Sequence, residues 1–128
     1  MYNIKLGGKN MEEKIYQKIL KEVAEKGDLL FTEIEEIFKE ENFEFEGDKI
    51  ILHPKNQNLV LWLGWNEEAL NIVSKLLTDV KNIYLISCNP IEIMIHTQYL
   101  ELPVAKGENY NYKKPHWFPV KLGWLNKK

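Results

Sequence analysis

The chain contains no arginine, and all seventeen of its basic residues are lysine. Arginine supplies the planar fork that reads guanine edges and binds phosphates and carboxylates through two hydrogen bonds. Sequence-specific DNA reading and arginine-finger chemistry are therefore not expected. The abundance of lysine, isoleucine and asparagine is also typical of codon bias in an AT-rich genome, which explains the absence without removing its chemical consequence.

Disulfides and long apolar segments are also lacking. Cys88 is the single cysteine, which excludes an intrachain disulfide and favours a reducing compartment. The longest apolar run is Leu59 to Leu63, far shorter than the roughly 20 residues of a membrane-spanning helix. The N-terminal residues show no apolar core typical of a signal peptide. The sequence predicts a soluble cytoplasmic protein with no membrane partner.

The 128 residues are enough for one domain over 1–128, and their charge is distributed unevenly. The net charge is −6 over residues 1–48, 0 over 49–100 and +4 over 101–128. An acidic front and a basic tail can attract each other within one fold or serve two partners. The sequence leaves both interpretations open.

The hydrophobic spacing predicts three helices and six strands in the order ααβββαβββ. Helices are expected over 11–26, 33–41 and 67–81, and strands over 43–46, 49–53, 59–65, 83–88, 91–97 and 100–104. Asn10 with Glu13, and Thr32 with Glu35, have the spacing of capping boxes. The first helix has an apolar stripe and a natural stop at Gly27, residues 54–58 are expected to form a polar loop, and Asn66 begins the third helix. The stripe consists of Met11, Ile15, Ile19, Leu20 and Val23. The strands before and after the third helix predict a right-handed parallel crossover.

These elements predict a single α+β domain with a mixed β-sheet and one helical crossover. The first two helices and the hairpin that follows them also resemble a winged helix-turn-helix. That alternative is disfavoured because the sequence offers no third, basic recognition helix.

The last twenty residues, 109–128, are rich in aromatic and basic side chains. They hold five of the fifteen aromatic residues and five of the seventeen lysines, and no acid. Rings and lysines together are typical of sites for single-stranded nucleic acid, whereas alternating tyrosines and two prolines are typical of an edge strand that closes a core. The candidate binding residues of this segment are Tyr112, Lys113, Lys114, His116 and Trp117.

A second candidate surface lies on the predicted second helix. Glu33, Glu36 and Glu40 follow helical spacing and predict a negative ridge that can meet a basic partner. The alternative is a solvated helical face with no binding role.

Catalytic chemistry has little support. Cys88 ends an apolar strand and can be a nucleophile with His96 or His116 as its base, but a structural cysteine is the more common occurrence. The three histidines, at positions 53, 96 and 116, share no metal-ligand spacing. No catalytic residue, metal ligand or cofactor is predicted.

One resemblance covers most of the chain beyond residue 28. The segments LWLGWNEEALNIV, LELPVAK and YKKPHWFPV, at Leu61 to Val73, Leu100 to Lys106 and Tyr112 to Val120, resemble small uncharacterised proteins of phages and genomic islands in Gram-positive bacteria. The resemblance implies an accessory role in a mobile element. It implies no activity and no functional residues.

Three functions remain as hypotheses. The first is a non-enzymatic accessory protein of mobile-element origin that binds another protein through its acidic second helix or its aromatic tail. The second is a nucleic-acid-associated protein that uses the basic aromatic tail without strong sequence preference. The third is a small enzyme that uses Cys88. The sequence does not predict the oligomeric state.

Overall fold

A computed structural model describes residues 3–94 and 100–126 of the chain. The helices are α1 (Asn3–Lys26), α2 (Phe31–Glu40), α3 (Glu67–Asp79) and α4 (Pro90–Met94). The strands are β1 (Asp28–Leu30), β2 (Glu46–His53), β3 (Asn56–Trp65), β4 (Ile83–Ser87), β5 (His116–Trp117) and β6 (Val120–Trp124).

The α+β class is confirmed, and the strands form two three-stranded sheets. One sheet has the order β1-β6-β4 and is antiparallel, while the other has the order β2-β3-β5 and includes the parallel pair β3 and β5. Helix α3 therefore crosses from one sheet to the other, so β3 and β4 do not form the parallel pair that the sequence predicted. Strand β4 pairs instead with the tail strand β6 along its whole length, from Ile83 opposite Trp124 to Ser87 opposite Val120.

Helix α1 is longer than predicted and ends where predicted. It begins at Asn3, so Asn10 lies inside the helix and does not cap it. Its apolar stripe is confirmed, because Ile15, Ile19 and Val23 are fully buried. The helix ends at Lys26, and the next residue, Gly27, has a φ of +91°, which glycine adopts without steric cost. The Gly27 amide donates to the Val23 carbonyl at 2.9 Å.

Helix α2 begins two residues earlier than predicted, which changes its cap. Leu30 precedes the first helical residue, and the Glu33 carboxylate accepts from the Leu30 amide at 2.8 Å. Thr32 and Glu35 therefore do not form the predicted capping box. Both lie inside the helix with buried side chains.

The segment after α2 is packed by its aromatic rings and is not a strand before Glu46. The ring centres of Phe43 and Phe45 each lie 5.3 Å from that of Phe38. These ring contacts hold the backbone of the segment against the helix. The predicted polar loop over 54–58 is also shorter, because β3 already begins at Asn56. Strands β2 and β3 thus form a tight hairpin with several bulges.

Asn66 joins this hairpin to helix α3. Its side-chain oxygen accepts from the Ala69 amide at 2.8 Å and caps α3, as expected for asparagine at this position. Its amide group donates to the Glu44 carbonyl at 2.7 Å, and its backbone amide donates to the Phe45 carbonyl at 2.6 Å. Gly47 lies so close to the Asn66 backbone that a β-carbon at position 47 would be only 2.6 Å from the Asn66 Cα.

Residues 91–97 were predicted as a strand, and this prediction is wrong over its described part. Residues 90–94 form the short helix α4, because the Asn89 side chain accepts from the Ile91 amide at 2.9 Å and the Asn89 carbonyl accepts from the Glu92 amide at 3.0 Å. His96 and the rest of that segment lie outside the described residues. Residues 100–104 do not form a strand either; Val104 alone makes a parallel bridge to Trp117.

The opposite charges of the two ends meet within the fold. Lys121 of the basic tail lies 3.1 Å from Asp28 and 2.9 Å from Glu92. Its hydrogen bond to Glu92 is the main reason that its pKa is raised. Within the described ranges, no helix combines the length and apolarity needed to cross a membrane.

Candidate binding surfaces

The most unusual polar group of the core is the carboxylate of Glu35. Its side chain is only 7% exposed. The same oxygen, Oε2, accepts from the indole nitrogen of Trp62 at 2.9 Å and from that of Trp65 at 2.8 Å. Buried polar groups need such partners, and here the carboxylate satisfies two indole donors at once. Glu35 is therefore a structural link between α2 and β3.

Trp117 belongs to this aromatic core and not to the exposed tail. It is 1% exposed, and its ring lies 6.4 Å from that of Trp62. Its backbone amide donates to the Pro103 carbonyl at 2.8 Å, and its carbonyl accepts from the Ala105 amide at 2.8 Å. The Phe118 amide donates to the Val60 carbonyl, so this part of the tail lies between β3 and residues 103–105. From Trp117 onward the tail closes the core.

The exposed part of the tail carries three rings in contact, which we call the aromatic row: Tyr110, Tyr112 and His116. The Tyr110 and Tyr112 rings are stacked at 5.8 Å, and the Tyr112 and His116 rings lie 4.2 Å apart. Lys113 and Lys114 are exposed beside the row. The structure thus brings together four of the five predicted tail residues and separates Trp117 from them.

The aromatic row is held in place by the hairpin. Asn56 and Asn58 donate to the carbonyls of Tyr110 and Tyr112 at 3.1 and 2.6 Å. The Tyr112 hydroxyl accepts from the amides of Lys106 and Gly107 and donates to the Gly107 carbonyl. Tyr112 consequently organises residues 106–112, and its hydroxyl is already engaged.

The acidic face of α2 consists of Glu33, Glu36 and Glu40, and the lysines of α1 neutralise part of it. Lys26 lies 2.7 Å from Glu33, which raises the pKa of that lysine, and Lys18 lies 3.0 Å from Glu40. Glu36 points outward with 68% of its side chain exposed, and its nearest described cation, Lys39, is 3.6 Å away. The three glutamates share a helix, but only Glu36 lacks a contact with α1 among the described side chains.

A third surface was not predicted from the sequence. Three aliphatic residues of the β2–β3 hairpin, which we call the hairpin patch, are exposed: Ile50 by 54%, Leu52 by 44% and Leu63 by 37%. Ile50 lies opposite Leu63 in the β2–β3 pairing, and Leu52 follows Ile50 on the edge strand β2. The apolar residues of these strands were visible in the sequence, but the sequence does not say which of them another layer covers.

Of the groups considered for catalysis, Cys88 and His116 are among the described residues, and neither is arranged for catalysis. Burial raises the pKa of the Cys88 thiol to about 11, and the Glu92 carboxylate adds to the shift. A thiol with this pKa is almost entirely protonated at neutral pH, whereas catalytic cysteines have lowered pKa values. His116 donates from Nδ1 to the Lys114 carbonyl at 2.8 Å and stacks on Tyr112, so its ring serves the aromatic row. Among the described residues, no group of three potential metal ligands converges.

No family model matches the chain, and no curated protein or solved structure matches it.

Proposed function

We propose that this protein is a non-enzymatic accessory protein that acts by binding another protein. The observation that carries the proposal is the hairpin patch. Ile50 and Leu63 are exposed cross-strand partners, and Leu52 is exposed two residues further along β2. Large aliphatic side chains exposed near one another are typical of protein–protein contacts. The sequence resemblance to phage and genomic-island proteins adds a mobile-element origin to the proposal.

The edge position of β2 supports the same function. Strand β2 is at the end of its sheet, and residues 46–50 are all exposed. The backbone groups of an edge strand can pair with a partner, and the bulges of β2 limit indiscriminate pairing with other strands. A partner that packs on the hairpin patch would also lie beside this edge.

The acidic face of α2 is the second contact surface to test. Its charge is reduced by Lys18 and Lys26, which leaves Glu36 as its most outward carboxylate. Exposed charges of this type change the rate and specificity of association more than its strength. We therefore assign the main contact to the hairpin patch and a steering role to Glu36.

The test is capture of a partner by the tagged protein, followed by affinity measurement with the purified partner. Ile50→Glu is expected to weaken binding at least about tenfold, because it places a charge in the centre of an apolar contact. Ile91→Glu is the matched control, since Ile91 is equally apolar and 61% exposed on α4. Equal affinity of the two variants would contradict the assignment to the hairpin patch.

A charge-reversal variant separates the two surfaces. Glu36→Lys is expected to lower the association rate and its salt dependence while leaving the dissociation rate nearly unchanged. A loss of binding in Glu36→Lys together with full binding in Ile50→Glu would move the contact to α2.

The aromatic row supports a second candidate function, binding of single-stranded nucleic acid. The exposed ring of Tyr110 and the half-buried rings of Tyr112 and His116 lie beside Lys113 and Lys114, and rings with lysines are the combination that such sites use. The row is weaker than a dedicated site, because Tyr110 and His116 both contact Tyr112 and so leave less ring area for bases. A salt-sensitive mobility shift that Lys113→Glu abolishes would favour this function, and no shift at low salt would eliminate it.

A further inference from the structure

A groove of about 270 Å³ lies between the two sheets. Leu61 of β3 lines it from one sheet, and Leu85 and Ser87 of β4 line it from the other. The lining also includes the aromatic ring of Phe118 and two polar side chains, His53 and Glu108. The groove thus has apolar walls with a few polar groups, which is the usual composition of a small-molecule site.

The polar groups of the groove are arranged for binding and not for proton transfer. The Nδ1 atom of His53 accepts from the Lys55 amide at 3.0 Å, which places the ring proton on Nε2. That proton is donated to the Glu108 carboxylate, whose Oε2 lies 2.7 Å away. Both nitrogens of His53 are therefore occupied, so the ring cannot serve Ser87 as a base.

Glu108 gives the groove a negative group at a defined position. It is one of only two acidic residues in 101–128, a segment with six lysines. Even so, among the described side chains Glu108 pairs with His53, 2.7 Å away, and not with a lysine. A carboxylate offers about four lone-pair positions, and the His53 donation uses one of them. The Glu108 carboxylate can therefore accept hydrogen bonds from a cation.

We propose that this groove binds a small organic cation, with an apolar body between the sheets and a protonated amine against Glu108. Leu61, Leu85 and Phe118 supply the apolar contacts, and the Ser87 hydroxyl offers one further hydrogen bond. The volume fits a body of roughly ten non-hydrogen atoms. The proposal does not rest on the hairpin patch, because none of the three patch residues lines the groove.

The test is a titration of the ¹⁵N-labelled protein with 2-phenylethylamine, followed by amide chemical shifts. We expect saturable shifts at Leu61, Leu85 and Ser87 with a dissociation constant of roughly 1 mM, as suits a ligand of this size. The uncharged analogue 2-phenylethanol is expected to bind about fivefold more weakly, since Glu108 is partly exposed to solvent.

Two pairs of variants test the assignment. Glu108→Gln should make the amine and the alcohol bind equally, whereas the control Glu44→Gln, at an exposed glutamate elsewhere, should preserve the difference. Ser87→Trp should fill the groove and abolish binding, whereas Ser74→Trp on the exposed face of α3 should not.

The charge-swapped variant Glu108→Lys keeps the test decisive if Ser87→Trp fails to fold. It should prefer phenylacetate over the amine. The proposal is overturned if the amine gives no saturable shifts at tens of millimolar, if amine and alcohol bind the native protein equally, or if Glu108→Lys keeps the preference for the amine.

Discussion

Replacing Glu35 by alanine should be among the most destabilising changes available in α2. The substitution leaves the indole nitrogens of Trp62 and Trp65 buried without their acceptor. An unpaired buried donor costs about 1–3 kcal/mol, so the two together predict a loss of about 2–6 kcal/mol. Since domains of this size have total stabilities of about 5–15 kcal/mol, the variant should lose a large share of its stability.

Glu36→Ala is the matched control for this prediction. Glu36 is the next residue of the same helix, has the same side chain and is largely exposed, so its replacement should change stability by less than about 0.5 kcal/mol. Glu35→Gln should fall between the two, because the amide keeps one acceptor oxygen for the indoles.

Urea unfolding followed by circular dichroism measures these differences without relying on the fluorescence of the affected tryptophans. With a slope of about 2 kcal/mol per molar urea, Glu35→Ala should unfold about 1–3 M earlier than the native protein. Unfolding of Glu35→Ala at the same midpoint as Glu36→Ala would refute the view that the carboxylate stabilises the core.

Three further predictions follow from other sites. Because the pKa of Cys88 is raised from 9.0 to about 11, iodoacetamide should modify it roughly a hundredfold more slowly in the native protein than in urea at neutral pH, and equal rates would contradict its burial. Gly47→Ala should destabilise the protein more than Gly64→Ala, because a β-carbon at position 47 forces the Asn66 backbone to move. Gly64→Ala adds only the strain of an alanine at φ +96°, which costs about 1–2 kcal/mol. The thermal unfolding temperatures of the two variants test this order. Hydrogen bonds from the α1 lysines lower the pKa of Glu41 from 4.5, so the contribution of Glu41 to stability is present above pH 4.5 and is lost as the pH falls through the lower pKa of the folded state. The unfolding midpoints of Glu41→Gln and the native protein should therefore converge in acid. A constant gap between them at every pH would contradict the ion pairs.

The elements that the sequence predicted well are those whose evidence is local. The apolar stripe of α1, the glycine that ends it and the asparagine that caps α3 each act within a few residues, and the structure confirms all three. The α+β class followed from the order of such elements. Helix α4 was missed because Asn89 caps a segment whose alternating isoleucines also suit a strand.

What could not be predicted depends on contacts between residues distant in the chain. The burial of Glu35 requires Trp62 and Trp65 to approach it from β3, and its spacing from Thr32 pointed instead to a capping box. The pairing of β4 with β6 likewise depends on a segment whose rings and lysines suggested a surface. The residue types alone did not distinguish the buried Trp117 from the exposed Tyr110.

The position of β6 has a consequence for synthesis on the ribosome. It is the central strand of its sheet, pairing with β1 on one side and β4 on the other, yet it follows both by dozens of residues in the chain. A nascent chain that has emerged only as far as β5 therefore holds two strands that have no partner in their sheet. Because unpaired apolar strands favour aggregation, β1 and β4 are most prone to wrong association until β6 has emerged.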